Sequence, residues 1–304
     1  VSKPGEHQAD QQQFAFWRAA VRDSLDAAIG SSGLPSPLQE AIRYGSTAPE
    51  ASRWRALLVM QVAGTLGKDS VAAVNAAAAV EALHCATLSI DDLPSMDDAA
   101  ERRGLPAMHR RFNEAMAIQA SLWLLGVSRT LMAAATATAC EAPADVAARL
   151  AALQQRTENE LQLGQFMDMM GSLGKAEVDV EQVARLKCGR LFALAAQAAA
   201  WLPPLHGSAG EVAEALDVFG EEVGLAYQIL DDLEDIGEDG SAATWAGGGE
   251  RGRPTVVAKH GLTEARRRID SCIERAVTAL APLAKHGIDA GPLERIARTM
   301  LGRA

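Results

Sequence analysis

The stretch from Phe219 to Asp235, FGEEVGLAYQILDDLED, reads as the body of a packed helix that ends in acid. Val223, Gly224, Leu225, Ala226, Ile229, Leu230 and Leu233 supply the packing surface, while Asp231, Asp232 and Asp235 crowd three carboxylates into one turn. Asp231 and Asp235 are four apart and share a helix face, with Gln228 a turn earlier on that side. Like charges so close repel one another and call for a counter-ion. A second acidic run, Asp91, Asp92, Asp97 and Asp98, surrounds Pro94. Proline cannot donate its N–H, so it ends or distorts the preceding helix and can turn Asp97 back towards Asp91. Either cluster alone reads equally well as a solvated acidic surface. Two of them, each following an apolar helix body, favour a bound metal and phosphate, because Mg²⁺ suits a few carboxylates completed by phosphate oxygens and water.

Outward from these runs the pattern is helical. Apolar residues make up 48% of the 304 and aromatics only 4%, so the core is built from Ala, Leu and Val, and the first two are strong helix formers. Three- and four-residue apolar spacings predict helices over about 14–29, 36–44, 51–62, 70–92, 113–139, 144–170, 179–200, 209–236, 254–260, 262–280 and 293–302. Residues 1–13, polar and Gln-rich, read as a flexible lead-in. Residues 101–111 read as a loop, and 237–252, rich in Gly, as a mobile loop or lid. No linker or repeat divides the rest, so the expected fold is all-α, one large helical domain over 14–304.

A net charge of −10 argues against nucleic-acid binding, which needs clustered Lys and Arg. Cys85, Cys140, Cys188 and Cys272 form no metal-ligand spacing and read as thiols of a reducing, cytoplasmic setting. No uninterrupted apolar span of about twenty residues suggests membrane insertion. An anionic substrate then needs local cations. Arg53, Arg55, Arg102, Arg103, His109, Arg110, Lys187, Arg251, Arg253 and Lys259 are grouped around the two acidic runs.

Glu81-Ala-Leu-His84, Asp91-Asp92-Leu-Pro-Ser-Met-Asp97 and Arg102-Arg103-Gly104 resemble the first aspartate-rich motif of the trans-isoprenyl diphosphate synthases, the farnesyl and geranylgeranyl diphosphate synthase family. Phe219-Gly220, Gly224, Tyr227-Gln228 and Asp231-Asp232-Leu-Glu-Asp235 resemble the second. The resemblance implies the isoprenoid-synthase bundle around a central cavity and a Mg²⁺-dependent condensation of isopentenyl diphosphate with an allylic diphosphate. By position, Asp91 and Asp97 would hold two Mg²⁺ ions and Asp231 a third, with Asp92 and Asp235 supporting and Asp232 among the catalytic acids. Arg102, Lys187 and Gln228 would meet the allylic diphosphate, with Lys187 also serving the chemistry. Arg53, His84 and Arg103 would position isopentenyl diphosphate. Gly164-Gln165 and Asp168 resemble a central-helix motif, and Gly252-Arg253-Pro254-Thr255 a phosphate-facing one. The family is usually homodimeric. Ala86, five residues before the first Asp, is small where short-chain relatives often carry an aromatic, so a C20 product is expected, with Met116, Gln119, Leu122 or Trp123 closing the tunnel further down.

The departures lie on the cationic side. Ser52 replaces the usual lysine, Leu122 falls where an acid is usual, Cys188 replaces Thr, Arg253 replaces Lys, and 237–252 contains no lysine. These keep three alternatives open: a farnesyl diphosphate synthase, a non-catalytic or regulatory synthase subunit, and a terpene synthase-like enzyme that ionises one diphosphate.

Overall fold

The computed structural model describes residues 4–49, 51–68, 70–137, 144–204, 207–234 and 255–302. The chain folds as an all-α bundle. Helices α1 (Pro4–Gly30), α2 (Ser36–Ser46), α3 (Trp54–Thr65) and α4 (Ser70–Asp91) lead to a two-residue hairpin, β1 (Glu101–Arg102) with β2 (Leu105–Pro106). Helices α5 (Met108–Arg111), α6 (Glu114–Ala137) and α7 (Ala144–Ser172) follow. Next come α8 (Val180–Ala184), a π turn (Arg185–Gly189), α9 (Arg190–Ala200) and α10 (Ala209–Glu234). Helices α11 (Val256–His260), α12 (Leu262–Ala279) and α13 (Gly291–Met300) complete the set, with a 3₁₀ turn (Ala281–His286) before the last.

Helix α4 explains the architecture. Its alanines at 72, 73, 76–79, 82 and 86 are all buried, so it is apolar around most of its circumference and can sit only at the centre of a bundle. It packs on α6, α3, α1 and α9, while α10 packs on α9 and α12. The small side chains let the neighbours approach closely. Ser121 Oγ donates to Ala86 O at 2.9 Å, and Ser128 Oγ, two turns along α6, donates to Ala79 O at 2.7 Å. By length and composition alone α4 is apolar enough to cross a membrane, as a core helix can be; its most apolar window is 67% buried within the bundle.

Other expectations shift in detail. The first helix starts at Pro4, ten residues before Phe14, because Pro favours the first helical position and the Gln- and Ala-containing run that follows does not interrupt it. Gly45 does not break α2, which continues to Ser46; a Cβ at 45 would collide with Met108 Cε, so this glycine permits a close approach. The helix expected over 179–200 is interrupted by the π turn. The proposed lid, 237–252, lies outside the described residues, as do Asp235, Arg251, Arg253 and Cys140.

Candidate active site

Asp91 closes α4, and the chain turns at once. Asp97 N donates to Asp91 O at 2.9 Å and Asp98 N to Leu93 O at 3.0 Å, so the loop around Pro94 does bring Asp97 back onto Asp91. Asp92 is buried and accepts from Arg102 Nε at 3.0 Å and from Nη2 of the same guanidinium. Arg102, expected on the allylic diphosphate, is therefore engaged by its own acidic motif. Burial lowers its pKa, but Asp92, then Asp91 and Asp97, more than offset this and hold it above the usual arginine value.

The hairpin turn itself is Arg103-Gly104, with φ of 57° and 73°. Two positive-φ residues between paired strands are the type I′ arrangement that matches strand twist. For an arginine the left-handed conformation costs roughly 1–2 kcal/mol. Arg53 (φ 51°) and Asp98 (φ 48°) share it, and these three are the non-glycine positive-φ residues among those described. All adjoin this site, where backbone strain commonly concentrates. Arg103 Nη2 lies 3.5 Å from Glu81 Oε1, a carboxylate on α4 that is completely buried.

Arg53 is not placed as expected. It is only 3% exposed, and its guanidinium donates to Ser46 O and Ala51 O and lies 3.9 Å from the same Glu81 oxygen. Arg55, half-buried, is the one that reaches His84. Its Nη1 is 3.2 Å from His84 Nε2, its Nη2 donates to Cys188 Sγ at 3.3 Å, and its plane lies over Phe192 at 4.6 Å and Tyr227 at 5.8 Å. Stacking of this kind suits the planar guanidinium better than an ammonium. Ser52, in place of a lysine, bonds to Tyr227, whose pKa is raised by burial.

Burial, and then the charges of Arg55, Arg103 and Arg102, push the His84 pKa well below 6.5. A neutral imidazole can accept from Arg55 at Nε2. Below about pH 6.5 the unfolded histidine binds a proton that the folded one refuses, so stability is complete above that pH and falls as pH decreases. A His84→Asn variant is expected to show a shallower loss of unfolding free energy between pH 7 and 5 in urea titrations; an unchanged slope would reject the assignment.

On the other side, Lys187 Nζ donates to Asp168 Oδ2 at 2.5 Å. Gly164 permits this approach, since a Cβ there would meet Leu186 Cβ at 2.7 Å and Lys187 N at 3.0 Å. Gln165, on the same helix, reaches Met96 Sδ in the first acidic loop at 4.0 Å. Cys188 senses both Asp231 and Asp232, and Gln228 Nε2 donates to Asp232 Oδ1 at 3.0 Å. Gly224 brings α10 down on the π turn, where its Cβ would lie 2.8 Å from Gly189 Cα.

Contacts and through-space charge interactions link the first acidic loop through Gln165 to the helix of Asp168, and so to Lys187 and Cys188, and Cys188 through Arg55 to His84, with Asp231, Asp232 and Arg102 near enough to act electrostatically. Both acidic runs thus lie close to Arg55, Arg102 and Lys187. Among the described residues no three His, Cys, Asp or Glu side chains converge as a ready ligand set. Asp91 and Asp97, folded onto one loop, are a carboxylate pair that would suit Mg²⁺ with phosphate and water completing its shell.

The chain-length positions divide. Ala86 is 1% exposed in the core, and Met116 and Trp123 are half-buried. Gln119 and Leu122 point outward from α6, with Leu122 57% exposed, so neither lines the interior of a single chain.

An all-α bundle with two aspartate motifs joined through arginine, lysine and histidine side chains defines a diphosphate-handling enzyme of the isoprenoid-synthase class. Residues 35–284 match the polyprenyl synthetase family. The chain belongs to the trans-isoprenyl diphosphate synthases, the farnesyl and geranylgeranyl diphosphate synthase family of trans-prenyltransferases. It is 32% identical over 268 residues to a geranylgeranyl diphosphate synthase of Cereibacter sphaeroides, covering 86% of this chain and 87% of that one. It is 30% identical over 286 residues to the farnesyl diphosphate synthase of Escherichia coli, covering 88% and 90%. The crystal structure of a geranyltranstransferase from Thermotoga maritima superposes with a TM-score of 0.78 at 26% identity, over 96% of this chain and 100% of that one.

Proposed function

We propose that this chain condenses isopentenyl diphosphate with an allylic diphosphate and releases mainly the C20 product, geranylgeranyl diphosphate. The observation that carries the reading is the placement of both aspartate motifs near two separate cationic groups, Arg55, oriented by neutral His84, with Arg103 on one side and Lys187, with the polar Gln228 nearby, on the other. Two cationic groups suit two diphosphates, which favours chain elongation over ionisation of a single substrate.

Arg55, in place of Arg53, would hold isopentenyl diphosphate with Arg103, while neutral His84 orients Arg55. Lys187 and Gln228 would meet the allylic diphosphate, and Arg102 keeps Asp92 in place beneath it. Asp91, Asp97 and Asp231, supported by Asp232 and Asp235, would hold Mg²⁺, three ions in the substrate-bound state. When bound, these ions neutralise the departing diphosphate and lower the barrier to allylic ionisation. The apolar, Ala-rich helices keep water from the allylic cation so that the isopentenyl double bond attacks it. The new C–C bond leaves a tertiary cation, which loses a proton to the released diphosphate.

Two features support C20 over C15. Ala86 leaves room one and a half turns before Asp91. Gln154 Nε2 donates to Ser128 Oγ at 2.7 Å, and Ser128 bonds Ala79 O, so a hydrocarbon running along α4 meets buried polar groups at that level. Ala79 lies twelve residues before Asp91, roughly 18 Å along the helix, the order of length of an extended four-unit chain. Incubation of the protein with Mg²⁺, isopentenyl diphosphate and dimethylallyl, geranyl or farnesyl diphosphate tests this. Chain extension ending at C20 is expected, and Ala86→Phe should end it at C15. No extension with any acceptor, beside a working control synthase, would reject the elongation reading, and a wild-type product of C15 would reject the length assignment.

The active form is a homodimer by this reading. Ile118 and Leu122 on α6 and Leu163 and Phe166 on α7 are exposed apolar side chains on adjacent helices, a patch that suits a second copy. Phe166→Asp with Leu122→Asp is expected to halve the mass seen by sedimentation equilibrium; a wild-type monomer would reject the pairing. The unpaired, buried thiols of Cys85, Cys188 and Cys272 suit a cytoplasmic setting.

A further inference from the structure

One carboxylate bridges the two ends of the π turn that carries Lys187. Arg185 and Arg190 bracket the turn five residues apart, the period of π-helical bonding. Glu221 of α10 accepts from Arg185 Nη1 on Oε1 at 2.9 Å and from Arg190 Nη1 on Oε2 at 2.6 Å. Its own stem lies over the turn as well, since a Cβ on Gly189 would be 3.2 Å from Glu221 Cγ and 3.2 Å from its carbonyl oxygen. The two arginines are anchored outward from there. Arg185 also meets Glu181 and Glu222, while Arg190, largely buried, meets Glu160 on α7 at 2.8 Å and Asp217 at 3.0 Å. Burial lowers the Arg190 pKa, but Asp217, Glu221 and Glu160 more than offset it.

A π turn is an uncommon excursion in a helix and persists where neighbours fix it. Without it the helix would rejoin in α register, and the residues between Arg185 and Arg190 would rotate about the axis. Lys187 and Cys188 are those residues. They contact Asp168 and Arg55 on opposite flanks of the site.

We infer that Glu221 is a positioning residue: by bridging Arg185 and Arg190 across the π turn it holds the Lys187 ammonium where the allylic diphosphate binds. The inference rests on the reading of Lys187 as a donor to that diphosphate, and the test separates the two. Steady-state kinetics are measured on the full chain for Glu221→Gln, Lys187→Ala and the double variant, with each substrate varied in turn. Glu221→Gln keeps the shape but can no longer accept from both arginines. It is expected to raise the KM for the allylic diphosphate by about 10- to 100-fold, the range for a displaced binding group, with the isopentenyl diphosphate KM little changed. The double variant should be no worse than Lys187→Ala alone, because both act through one contact. Arg190→Lys, which retains the charge but not the fork, should reproduce the selective rise even if Glu221→Gln folds poorly. Multiplying losses in the double variant, or equal KM changes for both substrates with a lowered thermal midpoint in Glu221→Gln and Arg190→Lys, would make Glu221 a packing clamp only and overturn the inference. A Lys187→Ala enzyme with an unaltered allylic KM would instead remove the premise about Lys187.

Discussion

Asp91→Asn and Asp231→Ala are each expected to cut turnover at least about 100-fold, the scale for loss of one preorganised electrostatic group, while leaving the protein as stable as before or more so. The two effects diverge because these acids are placed against the interests of the fold. Asp91 is the last residue of α4, at the negative end of the helix dipole, where an acid costs about 0.3–1 kcal/mol. It also shares a short loop with Asp92, Asp97 and Asp98, and relief of that repulsion offsets the lost attraction to Arg102. Asp231 lies exposed on α10, one residue from Asp232 and within the reach of Cys188 and Tyr227 that the site requires. Paired measurements of kcat with saturating Mg²⁺ and of the thermal midpoint by circular dichroism check this. Full activity in either variant would refute a metal role for that residue, and a collapse of the midpoint would show it to be a structural acid instead.

Glu81→Ala is expected to destabilise the fold by about 3–5 kcal/mol, the cost of stranding buried charge. The Glu81 carboxylate has no exposed surface and faces Arg53, itself 1% exposed along its side chain, and Arg103. Cys85 also donates to it, and the buried carboxylate pushes that thiol up to about 12 together with burial, the larger cause. Remove Glu81 and two guanidiniums share the pocket with no anion between them. Urea titration of Glu81→Ala, and of the double variant with Arg53→Met, decides the matter. The double variant should recover at least half of the loss, since it removes the stranded charge along with its partner. An additive result would mean that Arg53 is satisfied by the Ser46 and Ala51 carbonyls alone.

The same cluster shows how two arginines that read alike in the sequence come to be placed differently. Arg53 and Arg55 stand two apart ahead of an apolar helix, and the text of the sequence treats them alike. Which one turns inward depends on where α3 begins. It begins at Trp54, leaving Arg53 as a left-handed cap whose side chain folds under the helix end, while Arg55 lies on the first turn and projects onto Phe192 and Tyr227. No periodicity encodes a positive φ on an arginine. Glu221 was equally hidden, because its partners are 36 and 31 residues away and only the packing of α10 on the π turn joins them. The outward placement of Gln119 and Leu122 has a related cause: helical spacing groups residues on a face but does not say whether that face looks into the bundle.

What the sequence determined by itself was local and repetitive. The Ala- and Leu-rich periodicity made α4, α6, α9 and α10 helices in any context, and the 91–97 loop followed from a proline that cannot donate. The spacing of Asp91, Asp92, Asp97, Asp231 and Asp232 was legible because chemistry of this kind needs several carboxylates within one or two turns. What only the tertiary structure decided was which cations those carboxylates meet. Arg102 lies on Asp92 ten residues away, Lys187 on Asp168 of another helix, and Arg55 beside His84 rather than on a carboxylate. Coulomb energies depend on separation and burial, and neither is fixed until α4, α7, the π turn and α10 have packed.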